Sequence, residues 1–159
     1  MQVMTTMSES SATTRVDDVM TTRLHTCKRG EALERAAKIM WDHGCAEVPV
    51  VDDDGFLVTM VSDRSALLCA YTQGKPLAQI AVTSAAPRTF RVARAGESLD
   101  AALELMRKHH ERCLPVVDAA GRLIGILSIT DVLRATSLQG EPRLSANSIE
   151  ALPGHAPVT

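Results

Sequence analysis

The chain has 159 residues, 45% of them hydrophobic and 23% charged, with a formal net charge of −2; this is the balance of a folded module and excludes a disordered polymer. Aromatics make up 3%, too little for base-stacking platforms, and a pI near 6.2 offers no global field for nucleic acid or an anionic membrane, so neither is expected as a partner. No stretch approaches the roughly 20 apolar residues of a membrane helix and the N-terminus has no signal-peptide pattern, so a cytoplasmic location is expected.

Residues 1–14, rich in Ser, Thr and Met without an apolar period, read as a disordered N-terminal tail. Asp17 to Met20 reads as a short lead-in helix and Leu24–Cys27 as a short strand. Leu33, Ala36, Ala37 and Met40 then fall at i, i+3, i+4 and i+7, the inward face of an amphipathic helix, which Gly44 stops. Val48-Pro49-Val50-Val51 reads as a strand with an early proline, the Asp-rich turn before Gly55 as a hairpin, and Phe56 to Val61 as the return strand. Ser62 opens a second helix, where its hydroxyl can cap free N–H groups.

The chain then repeats itself. Leu77 to Ile80 is a second lead-in helix and Thr89–Val92 a second short strand. Leu99, Ala102, Leu103 and Met106 line a helix, Leu114-Pro115-Val116-Val117 and Arg122 to Leu127 form a hairpin, and Ser128 opens the last helix. Over positions 30–65 and 96–131, thirteen of 36 aligned residues are identical, from Gly30/Gly96 to Ser62/Ser128. The expected organisation is an α/β (α+β) fold of two β-α-β-β-α units, 15–75 and 76–138, closed by a pseudo-twofold axis. A flexible C-terminal tail, 139–159, carries three prolines.

Read from the residues alone, Ser62 and Ser128 are N-caps or ligand contacts, and Asp131 is either a solvated first-turn carboxylate complementing the helix dipole or a ligand-binding group. Pro49 and Pro115 set strand starts or shape a pocket. His43, Cys45, His109, His110 and Cys113 match no standard zinc spacing, and the four cysteines, with no CxxC pair, read as reduced thiols. The run Arg107 to Arg112 is a basic patch at a helix C-terminus.

The repeat, with "VPVVDDDGFLVTMVS" and "LPVVDAAGRLIGILSITDVL", resembles the CBS-domain family, whose members pair two such units into a Bateman module. The resemblance covers about Val16 to Ala135. It implies a non-catalytic sensor, requiring no cofactor, that binds AMP, ADP, ATP or S-adenosylmethionine between the repeats as a regulatory ligand. It further implies a disc-like homodimer acting on an effector protein in trans. By the same resemblance Ser128 contacts ribose or phosphate and Asp131 grips the ribose diol. Thr89, Cys113, Leu114, Pro115, Val48 and Pro49 border the cleft, beside Glu47. In the first repeat Ser65 stands where the gripping Asp would be, leaving Ser62 and Arg64 to hold phosphate oxygens, so one competent site centred on the second repeat is expected. The alternative is an interaction module with a vestigial pocket.

Overall fold

A computed structural model describes residues 14–138. Each repeat contains the expected elements. The first has β1 (Cys27–Lys28), α1 (Leu33–His43), β2 (Glu47–Val51), β3 (Leu57–Ser62) and α2 (Asp63–Gln73). The second has β4 (Ala93–Arg94), α3 (Leu99–His109), β5 (Cys113–Val117), β6 (Leu123–Ser128) and α4 (Ile129–Leu138). Three-residue and four-residue 3-10 turns, Val16–Asp18, Leu77–Gln79 and Val82–Ala85, supply the lead-ins.

Each sheet has three strands, the first parallel to the second and the second antiparallel to the third. The short first strands differ from the expectation. Pairing in the first sheet joins Cys27 and Lys28 to Val50 and Val51, and in the second it starts only at Ala93, opposite Val116. Residues 89–92 therefore stay unpaired and are free to wall a cavity, as described below.

Apolar periodicity sets which helix faces are buried. α3 buries Leu99, Ala102, Leu103 and Met106 as expected. In α1 the buried set is Leu33, Ala36, Ile39 and Met40; Ile39 takes the place expected for Ala37, because Ile80, Val82 and Ala85 pack into the same core. Gly44 ends α1 in the left-handed region, at φ 61°, which costs a glycine no Cβ clash.

The lead-ins cross over. Val16 is fully buried in the core of the second repeat, with Leu103, Met106 and Leu127. Its N–H donates to Glu97 O at 3.0 Å, and Leu99 N donates to Thr14 O at 2.9 Å. In the mirror arrangement Val82 N donates to Glu31 O at 3.0 Å and Leu33 N to Ile80 O at 2.8 Å. Thr14, assigned to the tail from sequence, is thus docked by its carbonyl; the remainder of 1–14 and all of 139–159 lie outside the described residues.

The two hairpin turns meet on the pseudo-twofold axis. Leu57 N donates to Gly121 O at 3.3 Å and Leu123 N to Gly55 O at 3.1 Å, while the Arg122 guanidinium lies 5.0 Å from the Phe56 ring centroid. This reciprocal pairing joins the two sheets directly.

Candidate functional site

The two helix starts that follow the hairpins are built alike but differ in charge. At α2, Ser65 N donates to Ser62 Oγ at 3.1 Å and Ser62 N to Ser65 Oγ at 3.0 Å. At α4, Asp131 N donates to Ser128 Oγ at 3.1 Å, and Asp131 Oδ2 accepts from Ser128 N at 3.0 Å and Ser128 Oγ at 2.6 Å. Both serines are therefore caps, each closing a reciprocal box that satisfies orphan N–H groups. Only the second box is anionic.

The other Asp131 oxygen, Oδ1, accepts from Thr21 Oγ1 at 3.0 Å, and Arg134 stands 3.7 Å away. The Asp131 side chain is 11% exposed, so it is neither solvated nor freely accessible, as an open helix start would have left it. Thr21 is held there by backbone: its N–H donates to Ile126 O at 2.8 Å and Ile126 N donates to Thr21 O at 2.9 Å. Met20 lies on Gly125, where a Cβ would collide with its sulfur.

At the equivalent place on the first repeat, the residues aligned with Thr21, Met20 and Gly125 are Pro87 and Ala86, from the lead-in of the second repeat, and Thr59. Proline has no N–H to form the bridge, and Ala86 cannot fill the space that Met20 fills. A cavity of about 450 Å³ opens there, lined by Thr59, Ala86, Pro87, Arg88, Thr89 and Arg91 among others. A second cavity, of about 140 Å³, shares Pro87, Thr89, Phe90 and Arg91 with it and adds Glu47, Met60, Ser62, Ser65, Glu111, Cys113 and Pro115.

Of the residues expected to border the cleft, Ser62, Thr89, Cys113 and Pro115 come together in this second cavity. Val48 and Leu114 are fully buried in the two cores and back the cleft from behind; Pro49 is buried within β2. Arg64 is exposed on α2 and lines neither cavity. Ser128 and Asp131 also line neither, lying instead beside Thr21.

Electrostatics mark Glu47. Burial pushes its carboxyl up to about 7, nearby Glu111 and Asp63 add to the rise, and Arg112 offsets part of it. Burial likewise raises the Cys113 thiol, with Glu47 adding to the effect, so this thiol is protonated and a poor nucleophile. Among the described residues no group of three or more His, Cys, Asp or Glu is arranged to hold a metal ion; His43 stacks on His25, ring centroids 3.5 Å apart.

Sequence reasoning passed over Thr21, Arg91 and Glu111. Thr21 and Arg91 belong to the segments that lead into the opposite repeat, so their proximity to the helix starts follows from the crossover. The contrast of Thr21 with Pro87 was visible in the alignment of the repeats, but without the fold it had no meaning.

The CBS domain family model matches residues 16–68 and 87–137, and the chain belongs to that family. It is similar to the CBS domain-containing protein YhcV of Bacillus subtilis, 32% identical over 117 residues, covering 74% of this chain and 81% of that one. Among solved structures it is similar to CBSX2 in complex with AMP, with a TM-score of 0.71, 31% identity, and 80% of this chain and 99% of that chain covered; CBSX2 is from Arabidopsis thaliana. The CBS domain pair of MJ0100, in complex with 5′-methylthioadenosine and S-adenosyl-L-methionine, aligns with a TM-score of 0.69 at 25% identity, covering 80% and 98%. The chain spans only 24% of another relative, a homoserine O-acetyltransferase of Methanococcoides burtonii. No described helix is long and apolar enough to cross a membrane.

Proposed function

We propose that this chain is a non-catalytic regulatory module that binds an adenosyl ligand between its repeats and acts on a partner protein in trans. The observation that carries the reading is the Ser128–Asp131 pair at the start of α4, with Asp131 Oδ1 turned to the Thr21 hydroxyl at 3.0 Å. A ribose hydroxyl is a donor of the same kind and can replace Thr21 at that oxygen; hydrogen bonds to a charged acceptor are about twice as strong as neutral ones. The AMP complex of CBSX2 and the 5′-methylthioadenosine and S-adenosylmethionine complex of MJ0100 support the ligand class. Releasing Thr21 would loosen the segment that carries Val16 into the second core, and this gives occupancy a route to the rest of the molecule.

The module is proposed to work in the cytoplasm as a homodimer. Trp41 on α1 and Leu67 and Tyr71 on α2 are 89%, 70% and 81% exposed, an apolar face that a second copy would cover. A second reading, an interaction module with a vestigial pocket, is favoured by one fact: both Asp131 oxygens already have partners within the chain.

Calorimetric titration with AMP, ATP and S-adenosylmethionine decides between the two. The wild-type chain should bind at least one of them, and Asp131→Asn should weaken that binding by roughly tenfold or more, the equivalent of one charged hydrogen bond of about 1.5–3 kcal/mol. No binding at millimolar ligand would leave the interaction reading standing.

A further inference from the structure

The aligned repeats differ at two facing positions. Where the second repeat has Asp131 on the helix and Cys113 on the strand, the first has Ser65 on the helix and Glu47 on the strand. Strand register places Glu47 directly opposite Ser62, as it places Cys113 opposite Ser128. Residues directly opposite in an antiparallel pair project to the same face, with Cβ atoms about 5 Å apart. The carboxylate missing from the helix start is thus present one strand away, over the same serine.

Three further observations converge on Glu47. Its side chain lines the cavity that also holds Ser62, Ser65 and Thr89. Unlike Asp131, whose oxygens are both engaged, the Glu47 carboxylate has no hydrogen-bond or ion-pair partner among the described residues. The cavity that holds Glu47 shares Pro87, Thr89, Phe90 and Arg91 with the larger one, which is open because Pro87 and Ala86 stand where Thr21 and Met20 would close it. A half-buried carboxylate without donors from the described residues has acceptor sites to spare, and a ligand carrying two adjacent hydroxyls would fill them.

We infer that Glu47 is the diol-binding carboxylate of a second ligand site, in the first repeat, which takes the ribose of a ribonucleoside between Glu47, Ser62 and Thr89. This rests on the reading of the cleft as an adenosyl site and extends it to the repeat that lacks the helix aspartate. Hydroxyl donors favour the ionised carboxylate, whereas Glu111, Asp63 and burial favour the protonated one and Arg112 opposes them. Arg91, across the cavity, and Cys113, on β5, also face the site. Binding at this site therefore releases a proton, and affinity rises as pH passes upward through about 7.

The test uses the full chain with Asp131→Asn, which removes the charge of the second repeat's carboxylate, and the probes adenosine and 2′-deoxyadenosine, neither of which titrates between pH 6 and 8. That chain should bind adenosine, prefer it over 2′-deoxyadenosine by about tenfold, and bind it several-fold tighter at pH 8 than at pH 6. Adding Glu47→Gln, of the same shape, should abolish both the preference and the pH dependence while leaving 2′-deoxyadenosine affinity within about twofold. Ser65→Asp added to the chain that carries Asp131→Asn and Glu47→Gln should restore the preference. Should the wild type bind adenosine but the Asp131→Asn chain not, the first-repeat site is refuted while the adenosyl reading stands. Persistence of the preference in Glu47→Gln refutes the residue assignment, and a wild type that binds no adenosyl compound sinks both readings.

Discussion

Replacing Asp131 by alanine tests how far the second repeat's motif is structural before any ligand arrives. The substitution removes the acceptor for Ser128 N at 3.0 Å, Ser128 Oγ at 2.6 Å and Thr21 Oγ1 at 3.0 Å. Half of the box survives, because Ser128 Oγ can still accept from the backbone N–H of position 131. The Ser128 and Thr21 hydroxyls are near enough to solvent to find water, and the Arg134 pair, at 3.7 Å with Arg134 67% exposed, contributes little. What remains is one charge-assisted bond to a backbone N–H and the favourable first-turn charge, together about 2 kcal/mol. For a chain of this size that is a fall in Tm of roughly 4–8 °C. Asp131→Asn keeps one acceptor and should lose about half as much. Thermal or urea unfolding of the ligand-free chain measures it, and a double-mutant cycle with Thr21→Val isolates the long-range bond. If Asp131→Ala melts within a degree of wild type, or if Thr21→Val and Asp131→Ala are strictly additive, the lead-in is not coupled to α4 through this bond.

Glu47 predicts a pH dependence of stability. A carboxyl held at about 7 in the folded chain against about 4.3 in the unfolded one binds more protons when folded, so stability falls as pH rises from the unfolded value through about 7, by at most about 4 kcal/mol. Urea unfolding at pH 5 and pH 8 should show the decline, and Glu47→Gln should flatten it; an undiminished slope in the variant would place the titrating group elsewhere. For the dimer, Trp41→Glu with Tyr71→Glu should convert the chain to monomers in sedimentation velocity without lowering Tm beyond the loss of association, since both side chains are more than 80% exposed.

Local chemistry was legible wherever the sequence carries its own periodicity. The helix face of α3, most of that of α1, the paired hairpins, the glycine stop after α1 and the serine caps at Ser62 and Ser128 all follow from spacing and residue type, and the structure places them as expected, with Ile39 in place of Ala37 on α1. The first strands did not, because two-residue parallel pairings leave no alternation in the sequence; their position is fixed by Val50, Val51, Val116 and Val117 on the partner strand. The environment of Asp131 was also out of reach. Its helix position is readable, but its cover comes from Thr21, 110 residues away in the chain. Glu47 was visible as a neighbour of the cleft, and only the register against Ser62 shows that it occupies the face where the helix aspartate is missing.

The crossing of the lead-ins imposes an order on assembly. During synthesis the first repeat emerges with its core open, since Ile80, Val82 and Ala85, which belong to that core, follow the last residue of α2. Val16, made before either repeat's helices, lacks its core until α3 and β5 have left the ribosome, because Leu99, Leu103 and Leu114, which share that core, all lie in the second repeat. The first buried residue among those described is thus among the last to be covered. A chain halted between the repeats would carry both an unfilled groove and an undocked segment, so quality control could recognise an incomplete copy by surfaces that the finished molecule never exposes.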